Sequence, residues 1–325
     1  MTATHRLAAG PPVAQWHRPL LWLAVAMAIL VVVSIGGMIV DGRVLAGLPI
    51  WAKSVKFALA TLIYAVTWAW LIAQLTTWRR VAWWAGTVAA VGLGLELVVI
   101  VIQIVRGTTS HFNFTTAFDA ALWNTMGLSI MGVWFATVLV AAALFRNPAS
   151  DRARTSAIRA GAVLSVVGAA LGMLMVQPTE GQRATGSSIR GAHTVGLADG
   201  GPGLPILGWS TVGGDLRIPH FLGMHALQAI PLVLIVLEFA ARRFPVLRSA
   251  AKRQAVVLVA AASYGALLAV LTWQALRGQS VVRPDSLTML AVGAIAIAAS
   301  VAVVVIVRRS GVRELSNPVV VGGVR

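Results

Sequence analysis

The sequence predicts an all-α, polytopic integral membrane protein: one bundle of about eight transmembrane helices spanning residues 1–325, with both termini on the cytoplasmic side (N-in/C-in). Three observations lead there. The chain is 58% hydrophobic and only 11% charged, with mean hydropathy +0.84, whereas soluble domains carry about 25% charged residues. Apolar runs of about 20 residues, the length an α-helix needs to cross the hydrocarbon core, recur along the whole chain. The basic residues are also shared unequally between alternate connections. The N-terminus, Arg79–Arg80, the Arg146–Arg159 loop, the Arg242–Arg253 loop and the C-terminal tail hold 17 of the 26 Lys and Arg, with Asp151 and Glu314 as their acids. The opposite set holds nine basic and six acidic residues. By the positive-inside rule the first set is cytoplasmic. This bias also absorbs the net charge of +16, so nucleic acid is not an expected partner.

The first apolar run, 20–40, follows Arg6 and Arg18 and lacks a small-x-small cleavage pattern, so it is expected to be a retained helix rather than a signal. Further spans are expected at 54–76, 82–105, 117–145, 156–176, 219–241, 254–276 and 286–307, each bounded by charge, Pro or Gly. The fourth opens on T-x-x-D, Thr116 to Asp119, a capping pattern. The fifth (AGAVLSVVGAALGM) and seventh (AAASYGALLAV) are rich in small residues, which lets helices approach closely in lipid. Trp16, Trp22, Trp51, Trp78, Trp83 and Trp84 flank spans and read as an interfacial belt. The one long connection, 177–219, is extracytoplasmic and rich in Gly, Pro and Ser, and it forms a lid or a mobile loop. The absence of cysteine excludes disulfides, thiol catalysis and Cys-ligated metal centres.

Polar residues gather on the extracytoplasmic side. RIPHFLGMHALQ (217–228) places Arg217, His220, His225 and Gln228 at the start of the sixth span. Pro219 suits the first helical position there. On a regular helix His220 and His225 are about 7.5 Å apart along the axis and about 140° apart around it, so they do not form a local pair. His111, in the 106–119 turn, is the natural third partner. His111, His220 and His225, with Asp215 or Asp119, make a candidate site for zinc, iron or copper. Asp119 and Asp215 also have structural readings, as a cap and as charges complementing a helix N-terminus. Glu96, in LGLELVVIVIQIV, lies deep in the third span on one stripe with Val99, Gln103 and Arg106. An ionisable group at that depth marks a functional site by default. Lys53 and Lys56 sit one turn apart at a helix N-terminus on the side the topology rule disfavours, which suits anionic ligand groups or headgroups. Gln274 and Arg277 end the seventh span on the same side, whereas Glu238 is expected to pair with Arg242 or Arg243 at the other.

These residues converge on one cavity in the outer half of the bundle, while the inner half of the spans carries almost nothing polar. The leading expectation is a metal-dependent enzyme of the cell membrane. It acts on a lipid-like or small periplasmic substrate, with Glu96, Asp215 and Arg217 catalytic, and Lys53, Lys56, Gln103, Arg106, Gln228 and Gln274 binding substrate. In overall style this resembles alkaline ceramidases and related multi-helix membrane hydrolases. Those carry H-x-x-x-H where this chain has H-x-x-x-x-H, so no residue role is carried over. The alternatives are a b-type haem protein with His111 and His225 as axial ligands, and a transporter or proton-coupled carrier using Glu96.

Overall fold

The computed structural model describes residues 11–149 and 151–309. It is a helix bundle: α1 (Arg18–Val40), α2 (Ala52–Ala73), α3 (Arg79–Arg106), α4 (Ala117–Arg146), α5 (Arg152–Leu171), the short α6 (Glu180–Ala184), α7 (Arg217–Met224), α8 (Ala226–Ala240), α9 (Ala250–Leu276) and α10 (Ser286–Arg308). A two-stranded hairpin, β1 (Val44–Leu45) and β2 (Leu48–Pro49), is the only sheet among the described residues. Seven helices are long and apolar enough to cross a membrane. The pair α7–α8, bent by 51°, brings the number to eight when counted as one broken span. The expected spans therefore all appear, with the sixth interrupted.

Local chemistry sets the helix ends. His17 caps α1 by accepting from the Leu20 N–H, Thr116 caps α4 through the Asp119 N–H, and Asp151, Ser249 and Asp285 cap α5, α9 and α10. Gly107, at φ +73°, ends α3 in the left-handed region that glycine adopts without penalty. α7 begins at Arg217, so Pro219 is its third residue rather than its first. The proline still falls within the first turn, where no intrahelical N–H bond is lost.

Helices α1 to α4 share the main apolar core, built on Trp68, Leu71, Leu97, Ile100, Met126 and Val140. A second core joins α5, α8 and α9 through Ala153, Ala157, Ile230, Leu234 and Val257. The stripe Gly161, Ser165, Gly168 and Gly172 on α5 lets the broken span come close, and at Gly168 and Gly223 the two backbones leave no room for a Cβ. The break at His225 frees carbonyls that neighbouring helices satisfy. Ser165 Oγ donates to Met224 O (2.9 Å) and Tyr264 Oη to Leu222 O (2.6 Å), which is how interrupted helices survive in lipid. Helix α10 packs chiefly on α9 and its apolar window is wholly unburied, as a lipid-facing helix should be.

One correction concerns the bundle's interior. Polar side chains do occur at mid-span, as neutral hydrogen-bonded pairs: Tyr64 with Thr137 (3.2 Å) and Gln228 with Thr67 (3.2 Å). Another concerns Glu238, whose partner is Arg154 (2.9 and 3.0 Å) on α5, not Arg242 or Arg243.

Candidate functional site

The long connection is a folded lid. Its backbone pairs with the turn between α3 and α4, where Phe114 N donates to Ser188 O (2.8 Å) and Arg190 N to Phe112 O (2.8 Å). It is closed on itself by Val195 N to Gly214 O (2.8 Å) and Leu216 N to His193 O (3.0 Å). Beneath it Phe112, Met175, Leu216 and Ala275 form a small apolar core. Asp215, fully buried, ties the lid to α7. It accepts from the N–H of Ser210 (2.8 Å) and of Arg217 (3.0 Å) and from the Arg217 guanidinium (2.9 and 2.6 Å). The side chain of Arg217 also donates to Gly208 O (2.5 Å), and Lys56 Nζ to Leu207 O (2.8 Å). Asp215, Arg217 and Lys56 are thus engaged in holding the lid.

Under this lid the turn residue His111 meets Glu96 of α3 and Lys53 of α2. Its Nδ1 lies 3.0 Å from Lys53 Nζ and 3.1 Å from Ser110 Oγ, and its Nε2 lies 3.8 Å from Glu96 Oε1. When Lys53 is protonated it has only hydrogens to give, so in that state Nδ1 accepts and Nε2 carries the proton that faces the carboxylate. Phe57, Phe112 and Trp123 pack around the imidazole at 5.5–5.9 Å between ring centres. Burial pushes the His111 pKa well below its ordinary value, and the neighbouring Lys53, His193 and His220 push the same way. His111 is therefore neutral at pH 7.

The lid contributes two residues that sequence reasoning missed. His193, its ring 6.1 Å from that of His111, has Nδ1 2.5 Å from Asp199 Oδ2, while its backbone N–H donates to Asp199 Oδ1 (3.0 Å). Burial lowers the His193 pKa despite the opposing pull of Asp199. For Asp199, burial acts to raise the pKa, but the His193 hydrogen bond and the positive charge around it prevail and lower it. The result is an ionised carboxylate holding a neutral imidazole by its Nδ1–H, with Nε2 left as a base. His193 is the remaining histidine of the lidded end, beside His111, His220 and His225. Topology alone would have placed it there.

The other expected residues form separate groups. Asp119 accepts from Gln103 Nε2 (2.8 Å), from Thr116 Oγ1 (2.6 Å) and from Arg106, so the Glu96–Gln103–Arg106 stripe exists but its outer half closes on the α4 cap. Gln274 donates to Ser280 O (3.0 Å) and lines a small crevice with Asp215, away from His111. Gln228 lies beyond the helix break and bonds Thr67 of α2.

The three histidines do not make a metal site. Among the described residues no group of three His, Asp or Glu is arranged to hold an ion. The reason is local: both nitrogens of His111 already face Lys53 and Glu96, His220 Nδ1 is bound to Gly168 O (2.8 Å), and His225 sits at the break between α7 and α8. The donor set therefore does not fit zinc, iron or copper. Comparison with protein-family models, curated proteins and solved structures gives no match.

Proposed function

We propose that the lidded end is the acid–base site of a membrane enzyme acting on a small or lipid-like molecule, and that it faces the extracytoplasmic side of the cell membrane. The orientation rests on the 17-to-nine division of basic residues between the two ends. The observation that carries the activity is the His193–Asp199 pair beside His111, Glu96 and Lys53. In this reading Asp199 fixes the His193 tautomer, and Nε2 takes a proton from the substrate. Lys53 supplies positive charge for the anion that develops, and Glu96 exchanges protons through His111. The reading invokes no metal, because among the described residues no group of three such side chains is arranged to hold one.

The test is lipid profiling by mass spectrometry of nanodiscs that carry the protein in a natural lipid extract. A product formed by the wild type and reduced about 100-fold or more in Asp199→Asn, the usual weight of a general base, supports the reading. The same product at equal rate in the variant, or no product from the wild type, sinks it. EDTA should leave the rate unchanged; loss of activity restored by zinc would return the metal reading.

One observation favours a second reading, a proton-coupled carrier. The buried Glu96, His111, His193 and the exposed Asp199 follow one another in space, as the groups of a proton relay would. Pyranine-loaded proteoliposomes discriminate: proton uptake that is abolished by Glu96→Gln, with lipids unaltered, selects the carrier.

A further inference from the structure

The opposite end of the bundle holds an open cavity. It has a volume of about 570 Å³ and lies where α1 and α3 begin, between Trp16, Trp83 and Trp84 and the arginines Arg18, Arg79 and Arg80. Its floor is fixed. His17 Nδ1 accepts from the Leu20 N–H (3.3 Å), so Nε2 carries the proton and donates to Trp83 O (2.8 Å). The imidazole thereby locks α1 onto α3 and leaves the walls in place.

Among the described residues the arginines at this cavity have no acidic partner. Among the described residues, the carboxylates of this end, Asp151 and Glu238, are already held by Arg253 and Arg154. Arg18 makes one long bond to Ala14 O (3.5 Å), and the Arg79 and Arg80 side chains make no hydrogen bond or ion pair within the described residues. The 28-residue α3 starts here without a side-chain cap, so its first N–H groups add positive potential to the same spot. Three cations over an aromatic floor, at the end of membrane-spanning helices, match one ligand chemistry. It is a phosphate joined to an apolar tail, held at headgroup depth.

We propose that this cavity binds the headgroup of an anionic glycerophospholipid from the cytoplasmic leaflet. Arg79 and Arg80 contact the phosphate, Arg18 closes over it, and Trp83 and Trp84 flank the glycerol region. Binding is screened by salt, as expected for exposed charges.

The test uses the full-length protein in nanodiscs of phosphatidylcholine with or without phosphatidylglycerol. Retained lipid is counted by native mass spectrometry, and proximity is read from tryptophan quenching by brominated phosphatidylglycerol. The wild type should retain phosphatidylglycerol over phosphatidylcholine. The double variant Arg79→Gln/Arg80→Gln should bind it about 30-fold more weakly, on the order of fivefold per arginine. Both side chains are exposed, so the variant should elute as folded protein. Equal retention by wild type and variant overturns the proposal. Displacement by millimolar glycerol 3-phosphate as effective as by lipid assigns the site to free phosphate instead. A tenfold gain in lipid affinity on deleting residues 2–10 assigns the cavity to the chain's own N-terminal segment. Either result also overturns it.

Discussion

The two ends of the bundle use charge in opposite ways. At the lidded end Asp41, Asp119, Asp199, Asp215 and Asp285 each hold a basic side chain, and most of those bonds join a loop to a helix or close a turn. At the other end arginines outnumber acids, and two ion pairs are formed there, Arg154–Glu238 and Arg253–Asp151. Paired charge with hydrogen bonds on every side fixes geometry, whereas unpaired charge leaves attraction for something outside the protein. In the readings proposed above, the lidded end holds reacting groups in place and the basic end meets headgroups.

The strongest way to break this contrast is to cut the knot that holds the lid. Asp215→Ala leaves the Arg217 guanidinium without its carboxylate and removes the acceptor for Ser210 and Arg217 N–H groups. Breaking a buried pair from one side costs about 3–5 kcal/mol. Hydrogen exchange over residues 194–216 should rise sharply while the α1–α4 core stays protected. Protection of the lid equal to wild type would show that the apolar contacts of Phe112 and Leu216 suffice without the ion pair.

A smaller effect is expected where α5 meets the broken span. Gly168→Ala places a methyl group against the Gly223 backbone, which cannot move away as a side chain would. Overpacking of this kind costs about 1–3 kcal/mol. Gly293→Ala on α10, with open space around the glycine, is the control and should leave thermal stability unchanged or slightly raised. The measurement is the unfolding midpoint in detergent, and equal midpoints for the two variants would mean the close approach contributes nothing.

These residues also show what the sequence could and could not disclose. The spans were legible because twenty-residue apolar runs stand out against charge, Pro and Gly. Glu96 was legible because a carboxylate in LGLELVVIVIQIV has few bland explanations. The break at His225 was not, since the hydroxyls that make it tolerable, on Ser165 and Tyr264, come from other helices. His193 and Asp199 lie in a Gly-rich loop with no periodicity to orient them. Their pairing with the His111 turn depends on backbone bonds between segments about 75 residues apart in sequence. The expected metal trio failed for the converse reason: spacing suggested convergence, but His111 faces Lys53 and His220 is bound to Gly168 O.

The finest test concerns protons rather than packing. His111 and His193 both have lowered pKa values in the folded lid, chiefly because burial disfavours imidazolium. A state with the lid open returns them to about 6.5 and therefore binds more protons than the closed state in the interval below that value. The contribution of these two histidines to lid stability must then fall as pH drops below about 6.5, by no more than about 1.4 kcal/mol per pH unit for each histidine, and stay level above about 7. The lowered pKa of Asp199 acts in the same direction but only below its ordinary carboxylate value, about 3.9. Lys53, Arg217 and His220 surround the pair and add to the cost of protonation, while Asp199 offsets part of it at His193 and Glu96 is the carboxylate that faces His111. Hydrogen exchange over 186–216, corrected for intrinsic rates, should show the lid opening more at pH 5 than at pH 7.5. The double variant His111→Gln/His193→Gln should lose that difference, and the arginine-lined end should show none in either protein. A lid that tightens on acidification would mean that Glu96 and Asp199, rather than burial, govern both imidazoles.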